Sequence, residues 1–340
     1  MTNQNDTVSF HRRLIRQGLT VSWKHKHLWI FGFFAAFSGF GGVFEPVFQF
    51  NDRIIGTVPF HGEYLGIGFM PGLGVFRSLV GLSLSPWMSV AVFGLLFLIG
   101  LAVAAVAVVM ALGATVSGTK AVSEGRDLGF SESLKGAAGK FWTLLGIVVA
   151  VKAISLVSVL VTGISLVNFR EIGGPIGGMF FLLSFLTFLT LAVVVAIVGI
   201  YAVTAAVDGR TVSVREAIRD GWRTFAGNWL VSLEAGALVL ATQFVLILLV
   251  IGAVAVAMVP FFVLMLLALY FDLVIMGTAI AILASVAVVM AMCLTASFLT
   301  VFQVSVWWQL WREFGHGRGL IAGLERHVGS LLKRLRIRRG

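Results

Sequence analysis

The sequence predicts an all-α, polytopic helical membrane bundle of six transmembrane helices, and three observations carry that prediction. The chain has 340 residues, 59% of them hydrophobic and 12% charged, against roughly 45–50% and about 25% in soluble domains. Its apolar residues gather in long uncharged runs, Trp87 to Ser117 and Met179 to Val207 among them, and runs above about 18 residues read as membrane spans. The formal charge of +10 would point to nucleic acid in a soluble protein. Here it falls unevenly between the apolar runs and reports on topology instead.

Spans are expected near 28–44, 87–117, 141–167, 179–207, 229–257 and 275–306. The first is the shortest and the richest in glycine. Between the last two, Met258 to Asp272, with Pro260 near its start, reads as a short re-entrant or interfacial helix, or as a seventh span. On this division residues 1–27 form a basic amphipathic arm, 28–306 the six-span membrane domain, and 307–340 a basic amphipathic tail. A cleaved signal peptide ending near Ala36-Phe37-Ser38 is the rival reading of the first stretch. The long arm and the bulky Trp29, Phe31, Phe33 and Phe34 favour a retained span.

Orientation follows from the basic residues, which are held on the cytoplasmic side of span ends. The arm, the segments after the second and fourth spans, and the tail together carry 21 of the 25 Lys and Arg. Opposite them lie Arg53, Arg77 and Arg170. Both termini are therefore expected in the cytoplasm, with the chain in the inner (plasma) membrane. Tryptophan gives an independent signal, since its ring is apolar while its N–H seeks water. Trp29, Trp142, Trp229, Trp307, Trp308 and Trp311, with Trp23 and Trp222, mark the basic side as inner-leaflet anchors, and Trp87 marks the other. Membrane lipids, in particular the anionic inner leaflet, are the expected partners, with a membrane-protein partner possible and no nucleic acid.

Three segments share one plan: a polar amphipathic stretch of about 20 residues, an aromatic boundary, and a span leading outward. Ile15-Arg16-Gln17-Gly18 matches Ile218-Arg219-Asp220-Gly221, and the two lead to Trp29 and Trp229. The middle copy runs from Ser131-Glu132-Ser133-Leu134-Lys135 to Phe141-Trp142 and needs a gap of about one turn. Ser213 followed by Glu216 is a capping box that starts a helix before the fifth span. The expected plan is three helical hairpins, each preceded by a cytoplasmic interfacial helix. In the tail, Leu320, Ile321, Leu324, Val328, Leu331, Leu332 and Leu335 fall on one helical face. Lys333, Arg334, Arg336, Arg338 and Arg339 supply a basic face suited to anionic lipid.

Two charges fall inside expected spans. Lys152 lies about ten residues past Trp142, roughly 15 Å deep by helical rise, where a lysine costs about 2.5–3.5 kcal/mol. Glu234 lies five residues past Trp229, roughly 7–8 Å deep. Together they form a candidate intramembrane polar site, read either as a helix-packing pair or as a place for substrate, ion or proton.

Catalytic signatures fail inspection. Gly113 to Lys120 resembles a phosphate loop, with its last two residues in the wrong order and a membrane helix where a strand is required. His25 and His27 sit among lysines and read as headgroup contacts, and His316 as part of a flexible link. Glu45, Asp52, His61 and Glu63 lie in the long segment between the first two spans, with no ligand spacing or nucleophile–base pattern. Cys293 is the single cysteine, so the sequence holds no disulfide framework, no CxxC pair and no thiolate metal site. No catalytic residue, metal site or cofactor is expected.

The motif Ser22-Trp23-Lys24-His25-Lys26-His27-Leu28-Trp29-Ile30-Phe31-Gly32-Phe33-Phe34, with the repeated units that follow it, resembles bacterial multi-span proteins related to the membrane domain fused to some glycerophosphodiester phosphodiesterases. The resemblance covers the arrangement of most of the chain and implies a bacterial inner-membrane setting. No soluble catalytic domain accompanies it in this sequence, so it does not imply phosphodiesterase activity. The expectation is a non-enzymatic organiser of partner proteins or lipids. The alternative is a transporter or channel for a small solute, ion or lipid, working through Lys152 and Glu234.

Overall fold

The computed structural model describes residues 5–38, 86–126, 129–172, 174–209, 211 and 213–315. The expected tail helix with Lys333, Arg334, Arg336, Arg338 and Arg339 lies outside the described residues. So do His316 and the segment with Glu45, Asp52, His61 and Glu63. All described secondary structure is helical. Helix α1 (Asn5–Lys24) turns into α2 (Leu28–Ala36). Then come α3 (Pro86–Ser123), α4 (Phe130–Ala138), α5 (Phe141–Ile172), α6 (Gly174–Asp208), α7 (Val214–Gly227), α8 (Trp229–Tyr270) and α9 (Val274–Gly315).

Five of these helices, α3, α5, α6, α8 and α9, contain stretches long and apolar enough to cross a membrane. Helices α8 and α9 have 42 residues each, about 63 Å of rise, roughly twice a hydrocarbon core of about 30 Å. Met258 to Tyr270 does not form the separate re-entrant, interfacial or seventh helix expected, because α8 continues through Pro260 to Tyr270. One proline removes one i→i−4 hydrogen bond, a small interruption in a helix of this length. The chain reverses only at Phe271 and Asp272, where Asp272 adopts a φ of 53°, a conformation aspartate tolerates better than branched residues do. Of the expected first span, the described part is α2, nine residues that end at Ala36. Its rise of about 13–14 Å is less than half the hydrocarbon thickness.

Residues 1–42 and 108–340 form one unit, and 43–107 another. In the second unit the described helix is exposed from Gly94 to Val106. In the first, three stretches are buried without interruption: 111–119 of α3, 199–206 of α6 and 301–311 of α9. A helix buried on every side needs neighbours all round, and shorter helices supply them. Gly18 brings α1 against Val306 and Phe302 of α9, Gly136 brings α4 against Ser117 of α3, and Gly221 brings α7 against Val198 and Ala202 of α6. Helix α1 runs lengthwise and antiparallel along α9. Arg13 meets Glu313 at 3.6 Å, Gly18 faces Val306, and the Trp23 ring meets Phe298 at 6.1 Å. One face of α1, with Leu14, Gly18 and Ser22, is buried.

Away from this core the long helices present apolar side chains outward, among them Leu182, Leu183, Leu248, Leu249 and Leu283, all more than half exposed. The tryptophans divide. Trp23, Trp142, Trp222 and Trp229 are exposed, as headgroup anchors would be, whereas Trp307, Trp308 and Trp311 are at most 5% exposed. These three belong to the core, with Tyr201 packed on Trp307 and Trp311 at centroid distances of 5.5 and 6.1 Å. A boundary position in sequence does not fix which way a ring faces, and α1, α3 and α6 cover this end of α9.

Candidate functional site

A groove of about 1090 Å³ lies between α1 and α8. Its α1 wall has two rows set by the helical period. Arg12, Arg16, Thr20 and Lys24 recur every four residues, and beside them run Ile15, Leu19 and Trp23. Ile15 and Leu19 also pack on Val239, Phe302 and Val306, which ties the floor of the groove to α8 and α9. The opposite wall is Glu234, Ala237, Leu238 and Ala241, one face of α8 at i, i+3, i+4 and i+7 spacing. Small side chains at Ala237 and Ala241 leave the recess open. The groove thus has a cationic edge, an apolar body and one carboxylate.

A second polar cluster ties together the ends of α3, α6 and α9. The Lys120 ammonium donates to the Asp208 carboxylate at 2.9 Å and lies 5.7 Å from the centre of the Trp308 ring. The Trp308 indole N–H donates to the Ser123 hydroxyl at 2.9 Å, and Arg312 donates to the Ser123 carbonyl at 3.1 Å. Each long helix therefore ends on a neighbour's charge or dipole. The arrangement is that of a clasp, since these side chains satisfy one another.

Deeper in, the Tyr201 and Ser232 hydroxyls share a hydrogen bond of 2.9 Å, and the Gln243 amide donates to the Gln303 amide oxygen at 3.1 Å. Other hydroxyls in the long helices turn back on their own backbone. Thr187, Thr190, Thr242, Thr278 and Ser285 each donate to the carbonyl four residues earlier, which lets a hydroxyl sit in an apolar setting without a partner helix.

No protein-family model, curated protein sequence or solved structure matches the chain. The reading of its sites therefore rests on geometry. The groove brings Glu234 together with Arg12, Arg16 and Lys24, and Lys152 is not among its lining residues. Lys152 is half-buried on α5, a helix packed chiefly against α6. Trp29 is partly buried, its N–H donating to the Ser22 carbonyl at 2.7 Å. Among the described residues no three His, Cys, Asp or Glu come together as a metal would require. Sequence reasoning missed the groove and the clasp. The four-residue recurrence of Arg12, Arg16, Thr20 and Lys24 was the available signal for the first, and the isolated acid Asp208 at the end of an apolar run for the second.

Proposed function

We propose that this chain is a non-enzymatic membrane protein that organises partner proteins or lipids through the end bearing its basic helices. The observation that carries the reading is the contrast within the long helices. One end is a packed core clasped by Lys120, Asp208 and Trp308 and ringed by α1, α4 and α7, while the remaining length offers largely apolar exposed surface. That is an anchor with an ordered head. Helix α7 fits the role, with Ala217, Gly221 and Phe225 buried against the core and Arg215, Arg219, Trp222 and Arg223 facing away from it. The self-bonded hydroxyls on the long helices leave little polar lining for a solute path, which favours organisation over transport.

In this reading the chain crosses a bacterial inner membrane six times, with both termini in the cytoplasm. The likeness to the membrane domain fused to some phosphodiesterases supplies the setting and no activity. The test is cross-linking in native membranes, comparing the wild type with a variant carrying Arg215→Gln, Arg219→Gln and Arg223→Gln. The wild type should be recovered in assemblies larger than itself, and the variant should lose them while keeping its melting temperature. Assemblies unchanged in the variant, or solute flux in proteoliposomes that Lys152→Met abolishes, would overturn the reading.

A further inference from the structure

We propose that the groove between α1 and α8 binds one anionic phospholipid, with its phosphate held by Arg12 and Arg16 and an acyl chain laid against Ala237, Leu238 and Ala241. The inference rests on the reading above and deepens it, because it names a ligand class and a place. Arg12 and Arg16 are one helical turn apart on the row that edges the groove, about 6 Å by rise. Two guanidinium forks at that spacing can share one phosphate through charge-assisted hydrogen bonds. Lys24 also lines the groove, three turns further on and about 18 Å from Arg12 by the same rise. It is too distant to join them on a single phosphate.

Along α8 the recess runs from Glu234 to Ala241, seven residues and about 10 Å by rise. From there the exposed apolar face of α8 continues through Phe244, Val245, Leu248 and Leu249, so a chain leaving the groove stays on apolar surface. A soluble anion would use the cationic edge and leave the apolar body empty. A neutral apolar ligand would make no use of Arg12 and Arg16. An anionic amphiphile uses both. Glu234, the one carboxylate in the groove, lowers its net positive charge and opposes polyanionic ligands, which favours a headgroup with a single phosphate.

The test is native mass spectrometry of the detergent-purified full chain, titrated with phosphatidylglycerol or phosphatidylcholine of identical acyl chains. Wild type should retain the anionic lipid about tenfold better. Arg12→Gln with Arg16→Gln should abolish that preference, whereas Lys24→Gln should keep it. Ala241→Trp, which leaves every charge in place and fills the recess, should weaken retention of both lipids, with melting temperature confirming that each variant is folded. Equal retention of the two lipids by wild type, equal loss in the Lys24 variant, or displacement of the lipid by millimolar inorganic phosphate would each overturn the proposal. The groove variants keep Arg215, Arg219 and Arg223, so their cross-linked assemblies should persist. A wild type that forms assemblies but shows no lipid preference would sink the groove alone, and a wild type that prefers the anionic lipid but forms no assemblies would sink the broader reading.

Discussion

At the scale of single residues, the sharpest constraint is close approach. A Cβ on Gly221 would lie 2.7 Å from the Val198 carbonyl oxygen and 2.9 Å from the Ala202 nitrogen, both rigid backbone atoms. Gly221→Val should therefore push α7 off α6 and cost about 1–3 kcal/mol, in the range of other overpacked cores. A lowered melting temperature with the helical circular dichroism signal retained is the expected result. Tyr201 is a milder case. It is fully buried among Trp307, Trp311 and Phe314, with its hydroxyl on Ser232. Tyr201→Phe keeps the ring packing and leaves the buried Ser232 hydroxyl without this partner, so a loss of about 1 kcal/mol is expected. Tyr201→Ala removes the ring as well and should cost several times more. Denaturant titration in mixed micelles can separate the two.

Among the elements, α7 shows how local and tertiary preferences reinforce each other. The capping box read from Ser213 and Glu216 is present: the Glu216 N–H donates to the Ser213 hydroxyl at 3.3 Å, and the Ser213 N–H to the Glu216 carboxylate at 3.4 Å. The same helix buries one residue per turn, Ala217, Gly221 and Phe225. Ser213→Ala removes one half of the cap and should cost about 1 kcal/mol, seen as faster hydrogen exchange confined to the first turn of α7. Exchange that rises across the whole core instead would mean the cap is needed for docking as well as for initiation. The hairpin of α8 and α9 teaches the opposite lesson. Pro260 and the apolar stretch after it look like a boundary in one dimension, yet the helix continues to Tyr270. Nothing in Met258–Tyr270 offers the chain a better set of hydrogen bonds than the helical ones.

For the molecule as a whole, the division of its tryptophans is the most direct check on which surfaces meet lipid. Brominated phospholipids quench tryptophan only at short range. Trp142 and Trp229, 78% and 54% exposed, should be quenched in single-tryptophan variants, while Trp307, Trp308 and Trp311, at most 5% exposed, should not. Equal quenching of both sets would mean that this core opens in the bilayer. The clasp of Lys120, Asp208 and Trp308 belongs to this scale too, since it joins three long helices at one end. Hydropathy runs and capping residues were legible in the sequence because they are properties of contiguous chain. The groove was not, because it needs Arg12 and Arg16 of α1 to stand opposite Ala237 and Ala241 of α8, more than 200 positions away.

The sequence by itself determined the helical class, the long apolar segments and the start of α7. Each of these follows from hydrogen-bond and solvation preferences that act within one or two helical turns. Tertiary structure alone decided that the Trp307–Trp311 cluster faces inward, that Glu234 shares a groove with arginines of α1, and that Lys120 meets Asp208. An apolar helix gains almost as much from facing lipid as from facing another helix. Composition therefore cannot say which side is buried, and that choice falls to close-packing glycines and to a few polar partners brought together from distant parts of the chain.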